Sequence, residues 1–170
     1  MIIGSILENK DKERRISVTP EIIKKYNNLG FEVHLAKDYG SHLGIKDKIF
    51  ETLGAKIISD ETEIIQNSDI MIQFDLIDEK KISFLKEQNI FIGSFSSHEN
   101  KEKINKLMTK KMNIFSLELL PRITRAQSMD ILSSQANLAG YKAVVEAFAF
   151  FEKAIPMMMT AAGTIPAAKV

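Results

Sequence analysis

A short polar connection lies between Leu117 and Ser134, in the stretch LELLPRITRAQSMDILSS. An apolar run typical of a strand breaks at Pro121, and a long helical pattern follows it. Four side chains rich in hydrogen-bonding groups fall on this connection: Arg122, Arg125, Gln127 and Asp130. Cationic and amide donors beside an acceptor carboxylate suit a ligand that carries anionic oxygens together with amide or hydroxyl groups.

The same connection also has a purely structural interpretation. Ser128 would cap the long helix, and Asp130 in its first turn would suit the positive end of the helix dipole. That interpretation explains two residues and leaves Arg122, Arg125 and Gln127 at the carboxyl end of a strand, where ligands dock in parallel sheets. The residues alone leave ligand contact and helix capping as open alternatives.

A second polar connection, ENKDKERRISVTP, follows the first apolar run of the chain. Arg14 and Arg15 could clamp a carboxylate or a phosphate, because the planar guanidinium fork matches anions that have two oxygens. Composition favours the simpler interpretation, in which this stretch is a solvated loop. The acidic clusters of a phosphoacceptor module are missing, since Asp60 after the third run is better explained as a helix cap.

Several classes of site are excluded by motif. The sequence contains no P-loop motif, no G-x-G-x-x-G dinucleotide fingerprint and no G-x-S-x-G nucleophile elbow. There is no cysteine, which excludes disulfides, thiolate chemistry and cysteine-based zinc sites. The three histidines, His34, His42 and His98, lack the spacing of paired metal ligands, so we predict no metal site.

The bulk properties are those of an ordinary globular protein. The 170 residues are 45% hydrophobic and 26% charged, and the formal net charge is +1. A balance so close to neutral gives no general attraction to nucleic acid, and we expect no nucleic-acid partner. No signal peptide is recognised, and no stretch approaches the roughly 20 apolar residues that a transmembrane helix needs.

Short apolar runs alternate with amphipathic stretches along most of the chain. The runs read as strands: IIGSIL, FEVHLA, AKIIS, DIMIQF, NIFIGSF and MNIFSLELL. Helical signals separate them, such as Thr19 as a cap, Pro20 in the first turn and Gly30 at the end of one helix. This alternation predicts an α/β fold with a parallel, Rossmann- or flavodoxin-like sheet flanked by helices.

The rhythm changes after Ser128. The stretch MDILSSQANLAGYKAVVEAFAFFEK predicts one long linking helix of about seven turns, in which Gly140 favours close packing. The apolar stretch AIPMMMTAAGTIPAAKV then reads as a proline-punctuated linker whose last three residues open another strand. We therefore predict a first lobe over residues 1–127, a linking helix over 128–153 and a linker into a further lobe over 154–170.

Two dense stretches carry a family resemblance. LPRITRAQSMDILSSQANLAGYKAVVEA and MMMTAAGTIPAAKV closely resemble the alpha subunit of proton-translocating NAD(P) transhydrogenase. The earlier ERRISVTPE resembles the opening that this family shares with alanine dehydrogenase. The resemblance covers the whole chain, and it is loose between Lys37 and Met112 and dense from Leu120 onward.

The resemblance implies an NAD(H)-binding component built of two Rossmann-like lobes, of which this chain would be the first and therefore a fragment. The nucleotide fingerprint would belong to the second lobe, beyond Val170. In the family, an Arg–Gln–Asp loop of the first lobe reaches the nicotinamide end of NADH. Carried over, the resemblance implies that the cofactor-binding residues are Arg122, Gln127, Asp130 and Ser133, with Gln127 and Asp130 as the catalytic pair.

The implied activity is hydride transfer from NADH to NADP⁺ coupled to proton translocation. The resemblance places NADP(H) on a separate beta subunit and the proton path in a membrane component. It also implies a homodimer that is peripheral to the cytoplasmic face of the inner (plasma) membrane. Hydride transfer needs no acid or base on the protein, but it needs two nicotinamide rings held face to face.

Two alternatives remain open. The first is the substrate lobe of an alanine-dehydrogenase-like, NAD-dependent oxidoreductase, in which Arg15 would match the arginine that binds the substrate carboxylate. Alanine dehydrogenases place a lysine after the fourth strand, however, and here that strand ends IQFDL, while His98 is displaced by about one residue from the family's histidine. The second alternative is a stand-alone binding or scaffolding module whose apolar tail docks a partner.

Overall fold

The computed structural model describes residues 1–169 of the chain. The chain divides into two compact units: Met1–Pro121 form the first, and the second begins at Arg122. A six-stranded sheet with its helices makes up the first unit, whereas the second contains one long helix and a two-stranded hairpin.

All six strands of the first unit run parallel, in the order β3-β2-β1-β4-β5-β6. Their bounds are β1 (Ile2–Ser5), β2 (Glu32–Ala36), β3 (Ala55–Ile58), β4 (Ile70–Ile72), β5 (Ile90–Gly93) and β6 (Asn113–Ser116). This is the strand order of the doubly wound Rossmann fold, and it confirms the predicted parallel α/β sheet. The order reverses between β1 and β4, and ligands of such sheets bind at the carboxyl ends of the strands beside that switch point.

Both faces of the sheet are buried, which explains why the strands read as continuous apolar runs. One cluster of buried side chains includes Val33 and Leu35 of β2 with Phe50 from a flanking helix. The other includes Met71 of β4 and Phe91 of β5. Two layers of apolar side chains therefore hold the sheet between its helices and set its strand edges in place.

Five helices flank the sheet: α1 (Pro20–Asn28), α2 (Asp47–Thr52), α3 (Glu61–Asn67), α4 (Glu79–Ile82) and α5 (Lys101–Thr109). The predicted cap of α3 is confirmed, because the Asp60 side chain accepts a hydrogen bond of 2.8 Å from the amide of Thr62. Thr19 stands at the N-cap position of α1 without making a side-chain cap bond. α4 is shorter than DEKKISFLKEQ predicts, since i→i+3 bonds replace the helix after Ile82.

The last strand of the sheet also ends early. The run MNIFSLELL predicts a strand to Leu120, but β6 stops at Ser116 and Leu117–Leu119 form a short 3-10 turn. The Leu120 amide closes this turn on the Leu117 carbonyl at 3.2 Å. The Ser116 hydroxyl donates to the Glu118 carboxylate at 2.7 Å, which favours the turn over continued extension.

The second unit begins with irregular turns and continues into α6 (Ile131–Phe150), the predicted long helix with its ends trimmed. No side chain is buried along α6, which is described over its whole length. Its apolar residues surround the helix instead of forming one stripe, and Tyr141 and Phe150 are 73% and 82% exposed. Within the described residues, no helix combines the length and the apolar character that crossing a bilayer would require.

A β-hairpin follows α6 where the sequence indicates a linker. β7 (Met158–Thr160) pairs antiparallel with β8 (Gly163–Ile165), and the Thr160 hydroxyl accepts a 3.2 Å bond from the amide of Ala162 in the turn. The predicted strand at the last three residues is absent from Ala168 and Lys169, and Val170 lies outside the described residues. The assignment of residues 1–127, 128–153 and 154–170 to lobe, linking helix and linker stays a prediction.

Candidate functional site

The polar connection that precedes α6 is a compact run of turns. Thr124–Met129 form a 3-10 helix, and the amide of Ala126 donates to the carbonyl of Ile123 at 3.0 Å. Ala126 is buried, so it anchors the connection while the polar residues on either side of it stay exposed. The other residues of the 3-10 helix, including Arg125 and Gln127, are exposed.

Asp130 caps α6. Its carboxylate accepts hydrogen bonds from the Ser133 amide at 3.0 Å and from the Ser133 hydroxyl at 2.6 Å. The prediction that Ser128 is the cap was wrong, because the 3-10 helix extends through Ser128 and the first α-helical residue is Ile131. Asp130 and Ser133, two of the predicted site residues, are thus joined by two hydrogen bonds.

The same hydrogen bonds keep Asp130 ionised. The Ser133 hydroxyl, followed by the Ser133 amide, holds the pKa of the Asp130 carboxyl below its usual value, and the charge of Arg122 acts in the same direction. Because the serine hydroxyl donates to Asp130, its oxygen lone pairs remain to accept a bond from another group. The pair thus offers acceptor oxygens at neutral pH.

A cavity of about 230 Å³ brings three of the four predicted cofactor residues together. Its lining contains the side chains of Arg122, Gln127 and Asp130, with Ile123, Thr124 and Ala126 between them. Ser133 adjoins this cavity through its bonds to Asp130, whereas Arg125 does not belong to the lining. The connection therefore combines a cation, an amide and a carboxylate around one small space.

This combination can bind a polar, planar group. The Gln127 amide both donates and accepts, Asp130 and Ser133 accept, and Arg122 presents a guanidinium fork to anionic oxygens. The one hydroxyl of the set, on Ser133, donates to Asp130, and a carboxylate whose pKa is held below its usual value is too weak a base to activate a serine as a nucleophile. The chemistry available here is therefore binding and orientation of a ligand.

A second group of polar contacts lies at the switch point between β1 and β4, and it involves Glu8, the first residue of the connection ENKDKERRISVTP. The Glu8 carboxylate accepts a 2.5 Å hydrogen bond from the amide of Phe74, just beyond β4. Burial raises the pKa of Glu8 to about 7, the amides of Phe74 and Asp75 oppose this rise, and the nearby carboxylates of Asp75 and Glu13 add to it. The signal for this contact in the sequence was a glutamate, Glu8, placed soon after a buried strand.

The two arginines of the connection ENKDKERRISVTP do not form an open anion clamp. Arg15 uses its guanidinium fork on Glu13, with its Nε at 2.8 Å and its Nη2 at 2.5 Å from the two carboxylate oxygens. The same group stacks at 4.3 Å over the ring of Phe74. Arg14 takes part through its carbonyl oxygen, which lies 2.7 Å from Nε2 of His42.

Metal ligation finds no support among the residues that the structure describes, since no group of three or more histidine or acidic side chains comes together to hold an ion. His34 is buried in β2, and its Nε2 lies 3.6 Å from the Glu32 carboxylate. His98 is exposed at the surface of the loop that follows β5. The histidines therefore occupy separate places in the first unit.

Comparison with known proteins identifies the family of this chain. The model of the family described as "Alanine dehydrogenase/PNT, N-terminal domain" matches residues 4–139. An NAD(P) transhydrogenase alpha-subunit chain of Rickettsia prowazekii is 40% identical over 99% of this chain and 45% of its own length. The crystal structure of transhydrogenase from Sinorhizobium meliloti matches with a TM-score of 0.91 and 38% identity, over 99% of this chain and 50% of that one.

Alanine dehydrogenase is a more distant relative. Alanine dehydrogenase 1 of Staphylococcus aureus is 24% identical over 85% of this chain and 38% of its own length. The chain spans about half the length, or somewhat less, of the relatives that it matches. The chain therefore belongs to the family of alanine dehydrogenase/PNT N-terminal domains and, within it, stands with the transhydrogenase alpha subunits.

Proposed function

We propose that this chain is part of the NAD(H)-binding component of a proton-translocating NAD(P)⁺ transhydrogenase, in which hydride passes from NADH to NADP⁺. The observation that carries the proposal is the polar cavity lined by Arg122, Gln127 and Asp130, with Ser133 bonded to Asp130. The named relatives and the family support the same activity, and their greater length supplies the remainder of the enzyme.

Asp130 and Ser133 bind the carboxamide of the nicotinamide ring in this proposal. A carboxamide has an NH₂ group that donates two hydrogen bonds, and an ionised aspartate next to a serine oxygen supplies matching acceptors. The pKa of Asp130 is held low, so this acceptor pair persists across neutral pH. Holding the carboxamide sets which face of the ring is presented, and hydride transfer depends on that orientation.

Gln127 and Arg122 complete the site. The Gln127 amide bonds both the ring substituent and the partner that carries NADP(H), because one amide group donates and accepts at once. The Arg122 guanidinium either organises the loop or binds ribose and phosphate oxygens, which suit its planar fork. None of the four residues transfers a proton, which agrees with a reaction whose rate depends on bringing two rings to near-attack distance.

The proposal extends to partners. NADP(H) binds to a beta subunit, a membrane component carries the protons, and the chain works at the cytoplasmic face of the inner membrane. A second copy of the chain covers the exposed apolar residues of α6, such as Tyr141 and Phe150. Sedimentation equilibrium of the full-length protein tests the last point, and a monomer at micromolar concentration would contradict it.

The alanine-dehydrogenase-like alternative has less support. The carboxyl end of β4 presents Gln73, Phe74 and Asp75 where alanine dehydrogenases have lysine, and the Arg15 guanidinium that stacks over Phe74 is paired with Glu13. Glu8 adds a further carboxyl group at the same place. The identity to alanine dehydrogenase is also lower than the identity to the transhydrogenase alpha subunit.

Calorimetric titration with NADH and with NADPH tests the proposed function. The titration uses a full-length alpha subunit that includes this chain, because the described residues supply only one side of the proposed site. We expect NADH to bind at least about tenfold more tightly than NADPH. Asp130→Asn should weaken NADH binding by about tenfold, which corresponds to about 1.4 kcal/mol of binding free energy.

Arg125→Gln serves as the matched control for the titration. Arg125 lies on the same connection but outside the cavity lining, so its replacement should leave the affinity for NADH within about twofold of the parent value. Equal affinity for both nucleotides would contradict a component that is specific for NAD(H), and an unaltered affinity for NADH in Asp130→Asn would remove the proposed role of this cavity. Reduction of pyruvate with ammonium and NADH would favour the dehydrogenase alternative instead.

A further inference from the structure

Glu118 makes an unusual number of hydrogen bonds for a side chain that is only half-buried. One carboxylate oxygen accepts from the Ser97 amide at 3.0 Å, from the Ser97 hydroxyl at 2.9 Å and from the Ser116 hydroxyl at 2.7 Å. The other oxygen accepts from the Phe95 amide at 3.2 Å. All four donors belong to the carboxyl edge of the sheet, at the ends of β5 and β6.

The donors tie Glu118 to the core of the first unit. Phe95 is buried, and its ring packs at 4.7 Å on the ring of Phe91 in β5. The loop beyond it is closed by the side chain of Asn100, which donates to the Phe95 carbonyl at 2.9 Å. The Glu118 carboxylate is therefore anchored on a rigid loop, and it restrains the turn that follows β6.

Burial opposes ionisation of Glu118, but the hydrogen bonds from Ser116 and Ser97 outweigh it and hold the pKa of this carboxyl below its usual value. The acceptor is therefore charged at neutral pH. Hydrogen bonds to a charged acceptor are stronger than those between neutral groups, so the anchor is firm under physiological conditions.

Only three residues separate Glu118 from Arg122, where the polar connection begins. The amide of Leu120 closes the turn on the carbonyl of Leu117 at 3.2 Å. Pro121 then fixes its own φ angle and restricts the backbone of Leu120 to an extended conformation. This short segment has little freedom to relax if its anchor moves.

We propose that Glu118 is a positioning residue for the polar connection Arg122–Asp130: its carboxylate fixes the last turn before Arg122 and so restrains the conformation of the residues that follow. The structural restraint is independent of the proposed function, whereas its effect on NADH binding and hydride transfer rests on that function. Glu118 itself contacts Ser97, Ser116 and Phe95, and it acts on the cofactor residues through the chain.

The first test needs no nucleotide. In Glu118→Gln one end of the side chain becomes an NH₂ group, which cannot accept, so at least one of the donors loses its partner. In ¹⁵N–¹H spectra of the 170-residue chain, we expect shifts or broadening at Arg122–Asp130 as well as at Phe95 and Ser97. Glu99→Gln, an exposed change on the neighbouring loop, should leave Arg122–Asp130 unaltered.

Ser116→Ala provides a milder variant in case Glu118→Gln does not fold. It removes one donor and leaves the carboxylate in place, so smaller changes at Arg122–Asp130 in the same direction are expected. If either folded variant alters the amides of Phe95 or Ser97 and leaves Arg122–Asp130 unchanged, Glu118 serves only its own loop and the proposal is wrong.

The second test uses steady-state hydride transfer by the full-length, assembled enzyme. Glu118→Gln should raise the KM for NADH about tenfold, whereas a merely structural role would lower kcat through loss of folded protein and leave KM unchanged. Asp130→Asn is the reference for the site itself. If Asp130→Asn has no effect, the proposed function fails; if only Glu118→Gln has none, the positioning role fails.

Discussion

The phenolic oxygen of Tyr39 lies 2.7 Å from the hydroxyl oxygen of Ser5, and both residues are fully buried beside the switch point of the sheet. The same phenolic oxygen accepts from the amides of Ser17 and Val18, each at 3.1 Å. With its acceptor capacity used, Tyr39 donates its own proton to Ser5, which bonds onward to the carbonyl of Ile72 at 2.7 Å. Through these hydrogen bonds Tyr39 links β1, β4 and the end of the connection ENKDKERRISVTP.

Tyr39→Phe should therefore destabilise the first unit. The substitution keeps the ring and removes the acceptor, so two buried backbone amides lose their partner, at a cost of about 2 kcal/mol in the free energy of unfolding. Urea denaturation measures this difference. Tyr26→Phe is the control, since Tyr26 packs at the edge of the same cluster and is partly exposed, and a change below about 0.5 kcal/mol is expected there. Equal effects in the two variants would show that the Tyr39 hydroxyl does not support the fold.

Glu8 should make stability depend on pH. Burial raises its pKa from 4.5 to about 7 in the folded protein. Between these values the folded state holds the proton and the unfolded chain does not, so this stabilisation is fully present below pH 4.5 and is lost as pH rises through about 7. Solvent screening of a partly exposed group reduces the expected loss to about 1–2 kcal/mol.

Glu8→Gln isolates this effect, because glutamine stays neutral and its carbonyl oxygen still accepts from the Phe74 amide. The difference in unfolding free energy between the two proteins, measured by urea denaturation from pH 5 to pH 8, removes the contribution of the histidines. We expect the variant to gain on the parent as pH rises. A difference that stays constant over this range would contradict the raised pKa.

Substitutions in the polar cavity should slow hydride transfer in the complete enzyme. If the proposed function is correct, Gln127→Asn draws the amide away from the nicotinamide ring and Asp130→Asn exchanges an acceptor oxygen for a donor, so each variant should hold the ring less firmly. We expect a tenfold or larger decrease in the single-turnover rate at saturating nucleotide. Arg125→Gln, outside the cavity lining, should stay within about twofold. Parent rates in both cavity variants would refute their assignment as the catalytic pair.

Two glycines should respond to alanine in opposite directions. A Cβ on Gly93 at the end of β5 would lie 2.3 Å from the carbonyl oxygen of Gln73, so Gly93→Ala should cost about 3 kcal/mol. Around Gly140, no described atom other than the neighbouring residues and backbone of its own helix comes within 4 Å of the added Cβ, so alanine should stabilise the helix of a single chain by up to about 1 kcal/mol. Thermal unfolding followed by circular dichroism measures both effects.

Gly140 also reports on assembly. The sequence favours close packing at this glycine, whereas the single chain leaves open space around it. A loss of stability in Gly140→Ala that depends on protein concentration would show that a second copy packs against α6. A gain that is independent of concentration would leave α6 uncovered at this position.

Local patterns were sufficient for the class of the fold and for most of its elements. Buried parallel strands need apolar residues on both faces, so runs such as FEVHLA are visible without any tertiary information. Asp60 was predicted as a cap because the bond to Thr62 spans only two residues. The hairpin of β7 and β8 was missed, since MMMT and GTI show no alternation of apolar and polar residues.

The polar connection could also be recognised from the sequence, because its polar side chains lie within nine consecutive residues, from Arg122 to Asp130. The cap could not be identified in the same way, because Ser128 and Asp130 are both favoured N-cap residues and lie only two positions apart. In the structure Ser128 belongs to the 3-10 helix and Ala126 within that helix is buried, and burial is a property of the folded protein.

The alternation of strands and helices and the positions of the polar residues follow from the amino-acid sequence, because hydrophobic periodicity, helix caps and glycines act over a few residues. Three contacts depend on the folded chain: Glu8 with Phe74, Tyr39 with Ser5, and Glu118 with the loop after β5. These contacts join residues that are 21 to 66 positions apart, and they depend on which strands lie side by side. Strand order is set by packing of the whole sheet, and no local pattern records it.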